Sequence, residues 1–318
     1  MKNNTILQNY INNGYVISEN LLEDNEILSL RKKFDEEFVD QNENEGVSRL
    51  LDDFKNPELV KEIIKIFSSN HLKKIKVKLE ELSKNQVSLL PPFEVHKNYH
   101  VNLREFHGWH RDCGGEMRYD YCKNILFKKN YLFSKIGIYL QNNGDYGGSI
   151  DVIKTSHRNF SKLKVLIRKI KNIPLKTIFF LHKFFKKFYL IIPESFFMFI
   201  LNGKKLFPQK GSAVFFDSRI IHRGSPISKK NLNDVKFISG KYKAFLPKTF
   251  DKYSIYCHFG STEAVDSYMF DRLMRDGNPD ELKKWIKQIK FISEYDMSLA
   301  DEINLIIDPI KKKYSKYL

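Results

Sequence analysis

Two segments far apart in the chain, His110-Arg-Asp112 and the stretch from Lys210 to Pro226 that carries His222, constrain this sequence more than any other feature. Successive side chains on a strand point to opposite faces, so residues 110 and 112 project from one side and an imidazole and a carboxylate can reach a single ion. A second imidazole at residue 222 completes two nitrogen donors and one carboxylate on one face of a metal, with the opposite positions left open. His-x-Asp arises by chance in many proteins, so its neighbours decide its meaning.

Those neighbours are specific. The proximal pair sits in His107-Gly-Trp-His-Arg-Asp-Cys-Gly-Gly115, and the distal histidine follows Lys210-Gly-Ser-Ala-Val-Phe-Phe-Asp217, which reads as a glycine turn and an apolar strand leading to a corner. Between them, Asn142-Asn-Gly-Asp-Tyr-Gly-Gly-Ser-Ile-Asp-Val-Ile-Lys-Thr-Ser-His-Arg158 reads as a turn, a strand and a Ser-His step. The start, Tyr10-Ile-Asn-Asn-Gly-Tyr-Val-Ile-Ser18 followed by Leu21 to Arg31, reads as an opening strand and helix. In this order the four motifs resemble the phytanoyl-CoA dioxygenase family of Fe(II)- and 2-oxoglutarate-dependent oxygenases. The resemblance runs from about residue 8 to about residue 245 and is interrupted once, over 159–209.

Apolar residues at three- and four-residue intervals predict helices over 20–40 and 55–83. Short runs predict strands within 86–104 and over 131–140, 148–153, 212–217 and 235–245, and residues 262–318 read as helical. Short strands with glycine-rich turns around a metal-ligand set point to a mostly β chain with flanking helices, built on a double-stranded β-helix, the cupin-like jelly roll. The expected organisation is a jelly-roll domain over 1–260, with a basic helical insert at 160–208, and a C-terminal helical extension over 261–318.

The resemblance implies Fe(II) held by His110, Asp112 and His222, 2-oxoglutarate as cosubstrate, dioxygen as oxidant, and succinate and CO2 as products. It also implies an arginine on the strand after the distal histidine, paired with the far carboxylate of 2-oxoglutarate; here that position is Lys236, which supplies charge without the planar two-bond fork. Arg111 stands where the family often has a cofactor-contacting glutamine. Ser225 lies three residues after His222, whereas the family's hydroxyl usually lies two after, where this chain has Gly224. Lys135 and Tyr139, on one face of a predicted strand, are further candidates for the carboxylate. Arg219 and Arg223 flank the distal histidine either as a solvated rim or as substrate contacts. His107, His157 and His182 are read as surface or packing residues, with His157 structural or near the pocket.

The chain's 318 residues suffice for a substantial core, and 42% hydrophobic content with 26 Phe and 16 Tyr excludes a disordered protein. Three cysteines, Cys113, Cys122 and Cys257, cannot form a fully paired framework, and the first ten residues hold no apolar stretch of signal-peptide length. A reducing cytoplasm, with peripheral contact at the inner membrane face, is the expected location. The net charge of +16 is concentrated: from Val152 to Pro193 there is no acidic residue, while Lys154, Arg158, Lys162, Lys164, Arg168, Lys169, Lys171, Lys176, Lys183, Lys186 and Lys187 are all cationic.

That stretch interleaves Phe and Leu with Lys, and it has no run of about 20 uncharged residues, so it is not a span. Its two readings are an interfacial element over 160–192 that meets anionic lipid, or an insert whose aromatic residues pack on the barrel. No nucleic-acid reading motif accompanies the charge, and nucleic acid is not expected as a partner. Two functions follow: an oxygenase that hydroxylates a lipid, glycan-lipid or small metabolite, or a catalytically silent jelly roll that binds an anionic ligand or membrane through the insert. A halogenase of this type would lack the carboxylate, and Asp112 is present.

Overall fold

The computed structural model describes residues 3–39, 47–98, 100–102, 109–112, 115–116, 131–143, 149–157, 198–199, 202–225, 235–238, 241–245, 251–274 and 280–318. The basic stretch lies outside them from 158 to 197, as do Cys113, Cys122 and His107. The chain opens with α1 (Asn3–Asn13), β1 (Tyr15–Ser18), α2 (Asp24–Glu37), β2 (Val47–Leu50), α3 (Pro57–Phe67) and α4 (Asn70–Ser83). Strands β3 (Val87–Asn98), β4 (His100–Asn102), β5 (His110–Arg111), β6 (Gly115–Glu116), β7 (Phe133–Tyr139) and β8 (Ile150–Ile153) follow. Then come β9 (Gly203–Leu206), β10 (Ser212–Asp217), β11 (His222–Gly224), β12 (Val235–Ile238), β13 (Lys241–Phe245) and β14 (Lys252–Ser261). Helices α5 (Thr262–Met274), α6 (Asp280–Ser293) and α7 (Met297–Lys313) complete the chain.

Two antiparallel sheets face each other. The large one has the order β1-β10-β7-β14-β3-β2 and the small one β6-β5-β11-β8-β9, while β12, β13 and β4 form a third. The period of two sorts the large sheet's side chains. Ile136, Ile138, Phe215, Ile255 and Cys257 face the helices, in one buried cluster with Phe34 of α2, Ile63 of α3, Trp285 of α6 and Ile303 of α7. The alternate residues Tyr139, Val214 and Phe216 face inward and meet Ile150, Val152 and Leu206 of the small sheet in a second cluster. This is the double-sheet jelly roll, with helices laid on the outer face of one sheet. Among the described residues no helix is long and apolar enough to cross a membrane.

Several elements differ from the sequence expectation. The predicted helix 55–83 is two helices: α3 ends at Phe67 with Ser68 as its C-cap, and the Ser69 hydroxyl accepts the Leu72 N–H at 3.4 Å to start α4. Residues 10–13 belong to α1, and the opening strand begins only beyond Gly14, whose φ of +83° suits glycine and whose Cα lies against the His157 ring. Residues 203–206, placed in the helical insert, form β9 and pair with β8. The span 235–245 is an antiparallel pair, β12 with β13, and not one strand. Strand β14, absent from the expectation, lies at the centre of the large sheet between β7 and β3.

Helix α6 also repairs a fault in that sheet. The register between β14 and β3 shifts between Tyr256 and His258, and β2 pairs only with Glu94 to Lys97, so Phe93 has no strand partner. Gln288 supplies one: its amide oxygen accepts the Phe93 N–H at 3.0 Å, and its amide nitrogen donates to the Phe93 carbonyl at 3.1 Å and to Asp52 at 3.2 Å. Gln288→Leu fits the space but strands two buried backbone groups, and a loss of about 2–4 kcal/mol in stability is expected, read as a lower urea midpoint.

Candidate metal centre

His110 and His222 are direct cross-strand partners on β5 and β11, so both imidazoles leave the small sheet on the same side. Their ring centroids are 4.3 Å apart. The His222 Nδ1–H donates to the Ile220 carbonyl at 3.1 Å, which fixes the tautomer and leaves the Nε2 lone pair free to bind. Asp112 Oδ1 lies 3.5 Å from His222 Nε2 and 3.7 Å from His110 Nε2. One donor atom from each of the three residues lies within 4.8 Å of the others.

The donor set fits a divalent ion. Cis ligands about 2.1 Å from an octahedral ion are spaced about 3 Å apart, so a small closure of the present distances completes the coordination. Asp112 Oδ2 is buried and accepts no hydrogen bond at ordinary length, so it has capacity left for an ion. Two histidines and one carboxylate on one face leave the other positions open, the donor pattern of non-haem Fe(II) sites. The His110 side chain is 44% exposed, so the centre opens on that side, while Phe216 closes the other with its ring 4.7 Å from His222.

The opposite wall is the inward face of β7 and β14. Lys135 Nζ stands 3.6 Å from Asp112 Oδ2 and 5.2 Å from the centre of the Tyr256 ring. Burial alone would raise the Asp112 carboxyl, but the Lys135 ammonium, and after it His222 and His110, hold it well below the usual carboxylate range. Burial works against the Lys135 ammonium too, but Asp112, Tyr256 and Glu94 together outweigh it and keep that group above its ordinary value. Tyr139 is buried on the same face, and Gly137 between them has no side chain, so the Tyr139 and Tyr256 rings can lie over the strand.

Other sequence candidates are placed elsewhere. Arg111 does not face the metal: its neighbour His110 does, so alternation turns Arg111 outward, where Nε donates to the Arg219 carbonyl at 2.7 Å and Nη2 to the Ser156 carbonyl at 3.3 Å. Ser225 is likewise turned away and donates to Asp151 Oδ1 at 2.5 Å. Lys236 lies on β12 opposite Lys243, in the third sheet, and its side chain is outside the described residues. Arg219 and Arg223 are not a solvated rim: both are buried, in ion pairs with Asp217 and Asp151. His157 Nε2–H donates to the Ile11 carbonyl at 3.1 Å and ties α1 to the Ser-His step.

Four inward residues have no counterpart in the sequence reading: Glu94, His96, Tyr256 and His258. Glu94 accepts from His96 Nε2 at 2.8 Å, and the His96 ring stands edge-on to Tyr256. Burial would raise the Glu94 carboxyl, but that hydrogen bond and the His96 charge bring it below its ordinary value. The alternation in Phe93-Glu-Val-His-Lys97 and Ser254-Ile-Tyr-Cys-His258 was the available signal for all four. Arg272 of α5 also reaches the centre, donating to the Asp112 carbonyl at 3.4 Å.

No protein-family model matches this sequence, and no curated protein does. Among solved structures, the chain is similar to HygX from Streptomyces hygroscopicus with nickel and 2-oxoglutarate bound, at 12% identity and a TM-score of 0.46, covering 81% of this chain and 87% of that one. It is similar at the same identity and score to AviO1 from Streptomyces viridochromogenes Tue57, covering 81% and 94%. EctD from S. alaskensis in its apoform gives 11% identity and 0.44, covering 81% and 76%. Likeness at this level assigns neither activity nor substrate.

His258 sets an acid limit on stability. Its ring is stacked on Phe133, and burial, with the Lys135 charge behind it, pushes the imidazole down from 6.5 to about 4. The unfolded chain takes up this proton as pH falls from about 6.5 and the folded chain does not, so stability present above that range is lost on the way down to about 4. Wild type is expected to lose about 2 kcal/mol more than His258→Gln between pH 7 and pH 5, checked by urea denaturation at both values.

Proposed function

We propose that this chain is a non-haem Fe(II)- and 2-oxoglutarate-dependent dioxygenase that hydroxylates an organic substrate, a lipid, glycan-lipid or small metabolite. The observation that carries the reading is the convergence of His110, Asp112 and His222, with a buried Asp112 oxygen among them that faces only the Lys135 ammonium at 3.6 Å. Bound there, Fe(II) with 2-oxoglutarate and dioxygen supplies oxidative decarboxylation to succinate and CO2 and the oxidising power for hydroxylation.

The chain's own residues bind and orient. His222 presents Nε2 to the centre because its Nδ1–H is committed to Ile220, and Asp112 stays ionised because Lys135 faces it. Lys135, half-buried and cationic on the wall opposite the ligand strands, is the anchor we assign to the cosubstrate carboxylate, with the buried Tyr139 hydroxyl as a second donor. Phe216, Val152 and Val214 keep water from the inner side. Glu94 and His96, partly exposed on the same wall, offer an acceptor and a donor to the substrate side. We further read the basic stretch at 160–192 as peripheral contact with anionic lipid; co-sedimentation with anionic vesicles, lost on deleting 160–200, is the expected behaviour.

The deciding test is anaerobic. Adding Fe(II) and then 2-oxoglutarate to metal-free protein is expected to produce the visible charge-transfer band of an iron-chelated keto acid, absent in His222→Ala. Lys135→Met is expected to keep iron and to need roughly ten- to hundred-fold more 2-oxoglutarate, the cost of removing a charged hydrogen-bond partner. Iron bound by the wild type without a band would favour the silent jelly roll that binds an anionic ligand.

A further inference from the structure

We infer that Arg111 and Arg223, the residues that follow the two metal histidines, form a reciprocal brace on the outer face of the small sheet and set the spacing of the metal donors. The inference rests on the metal reading above. Strand β5 is two residues long and meets β11 through the single pair His110 and His222. One residue pair is a poor restraint on two imidazoles that must share an ion.

The brace crosses over. Arg111, beside His110, grips the segment that carries His222: its Nε donates to the carbonyl of Arg219 and its Nη2 to that of Ser156. The Ser156 hydroxyl in turn accepts the N–H of Ile221, the residue before His222, at 2.7 Å. Arg223, beside His222, grips the segment that carries His110: its guanidinium lies over Trp109 with the centroid 4.6 Å away. Its Nε and Nη2 donate to Asp151 Oδ2 at 3.0 and 2.9 Å, and Ser225 holds the other oxygen of Asp151.

Every member is buried: Arg111 is 2% exposed, Arg223 3%, Asp151 0% and Trp109 4%. Each His-Arg step puts the imidazole in the cavity and the guanidinium behind it, so tension in the brace acts directly on the donor atoms. Arginine is needed at both places because a planar fork holds two bonds in fixed directions, and at Arg223 stacks on Trp109 at the same time, which an ammonium cannot do. Arg111 and Arg223 are positioning residues; neither touches the ion.

The test uses Co(II), whose visible ligand-field absorption reports donor geometry, titrated into the metal-free full-length chain. Arg111→Lys and Arg223→Lys are expected to shift that spectrum and weaken Co(II) ten- to hundred-fold. Trp109→Leu, which keeps the ion pair intact and so guards against misfolding, is expected to do the same in smaller degree. Gln288→Leu, destabilised at a distance, is expected to keep the wild-type spectrum and affinity. Wild-type spectra and affinities in both lysine variants and Trp109→Leu overturn the brace. Should His222→Ala also bind Co(II) unchanged, the metal reading itself fails and the brace with it.

Discussion

A carboxylate taken out of water between two sheets needs positive charge or hydrogen-bond donors around it, and Asp112 has two imidazoles beside one oxygen and one ammonium, at 3.6 Å, beside the other. That requirement orders the rest of the site. Lys135 has to reach across from the large sheet, so β7 must lie opposite β5, and β10 and β14 must hold β7 between them. Because the same anion and cation oppose one another, removing either leaves its partner buried and uncompensated. An ion among the three donors would take up the capacity left on Asp112 Oδ2 and relieve His110 and His222 of sharing Asp112 Oδ1.

Much of this was legible in the sequence. The ligand pair is a local pattern of two residues on one face of a strand, and the distal histidine is marked by its glycine turn and apolar run. The strands at 131–140, 148–153 and 212–217 announce themselves because their inner and outer faces are both covered, and β8 and β10 read as short, mainly apolar runs. Lys135 and Tyr139 follow from a period of two once β7 is placed. Helices α6 and α7 carry strong apolar stripes and were expected as helices.

The rest depends on partners that spacing does not encode. Arg111 follows a ligand and so looks like part of the site, yet its destination is a carbonyl more than a hundred positions away. Ser225 and Arg223 were read against solvent or cofactor because nothing local announces that Asp151 is buried beneath them. Strand β14 was missed because its inward face carries Ser254, Tyr256 and His258, polar residues that resemble a surface until the second sheet is set over them. The break between α3 and α4 rests on a single serine hydroxyl, too slight a signal to interrupt a long apolar periodicity.

The ring stack of Phe133 on His258 and Tyr268, with Trp285 behind, lies at the β7 end where Gly260 pairs with Phe133. Helices α5 and α6 supply two of its four rings, so the C-terminal segment reaches the His258 ring as well as covering the back of the sheet. Among the described residues, aromatic rings gather at that end of β7 while His110 stands exposed at the metal centre. Loss of α5 and α6 would therefore strip two rings from beside His258, and not only uncover the back of the sheet.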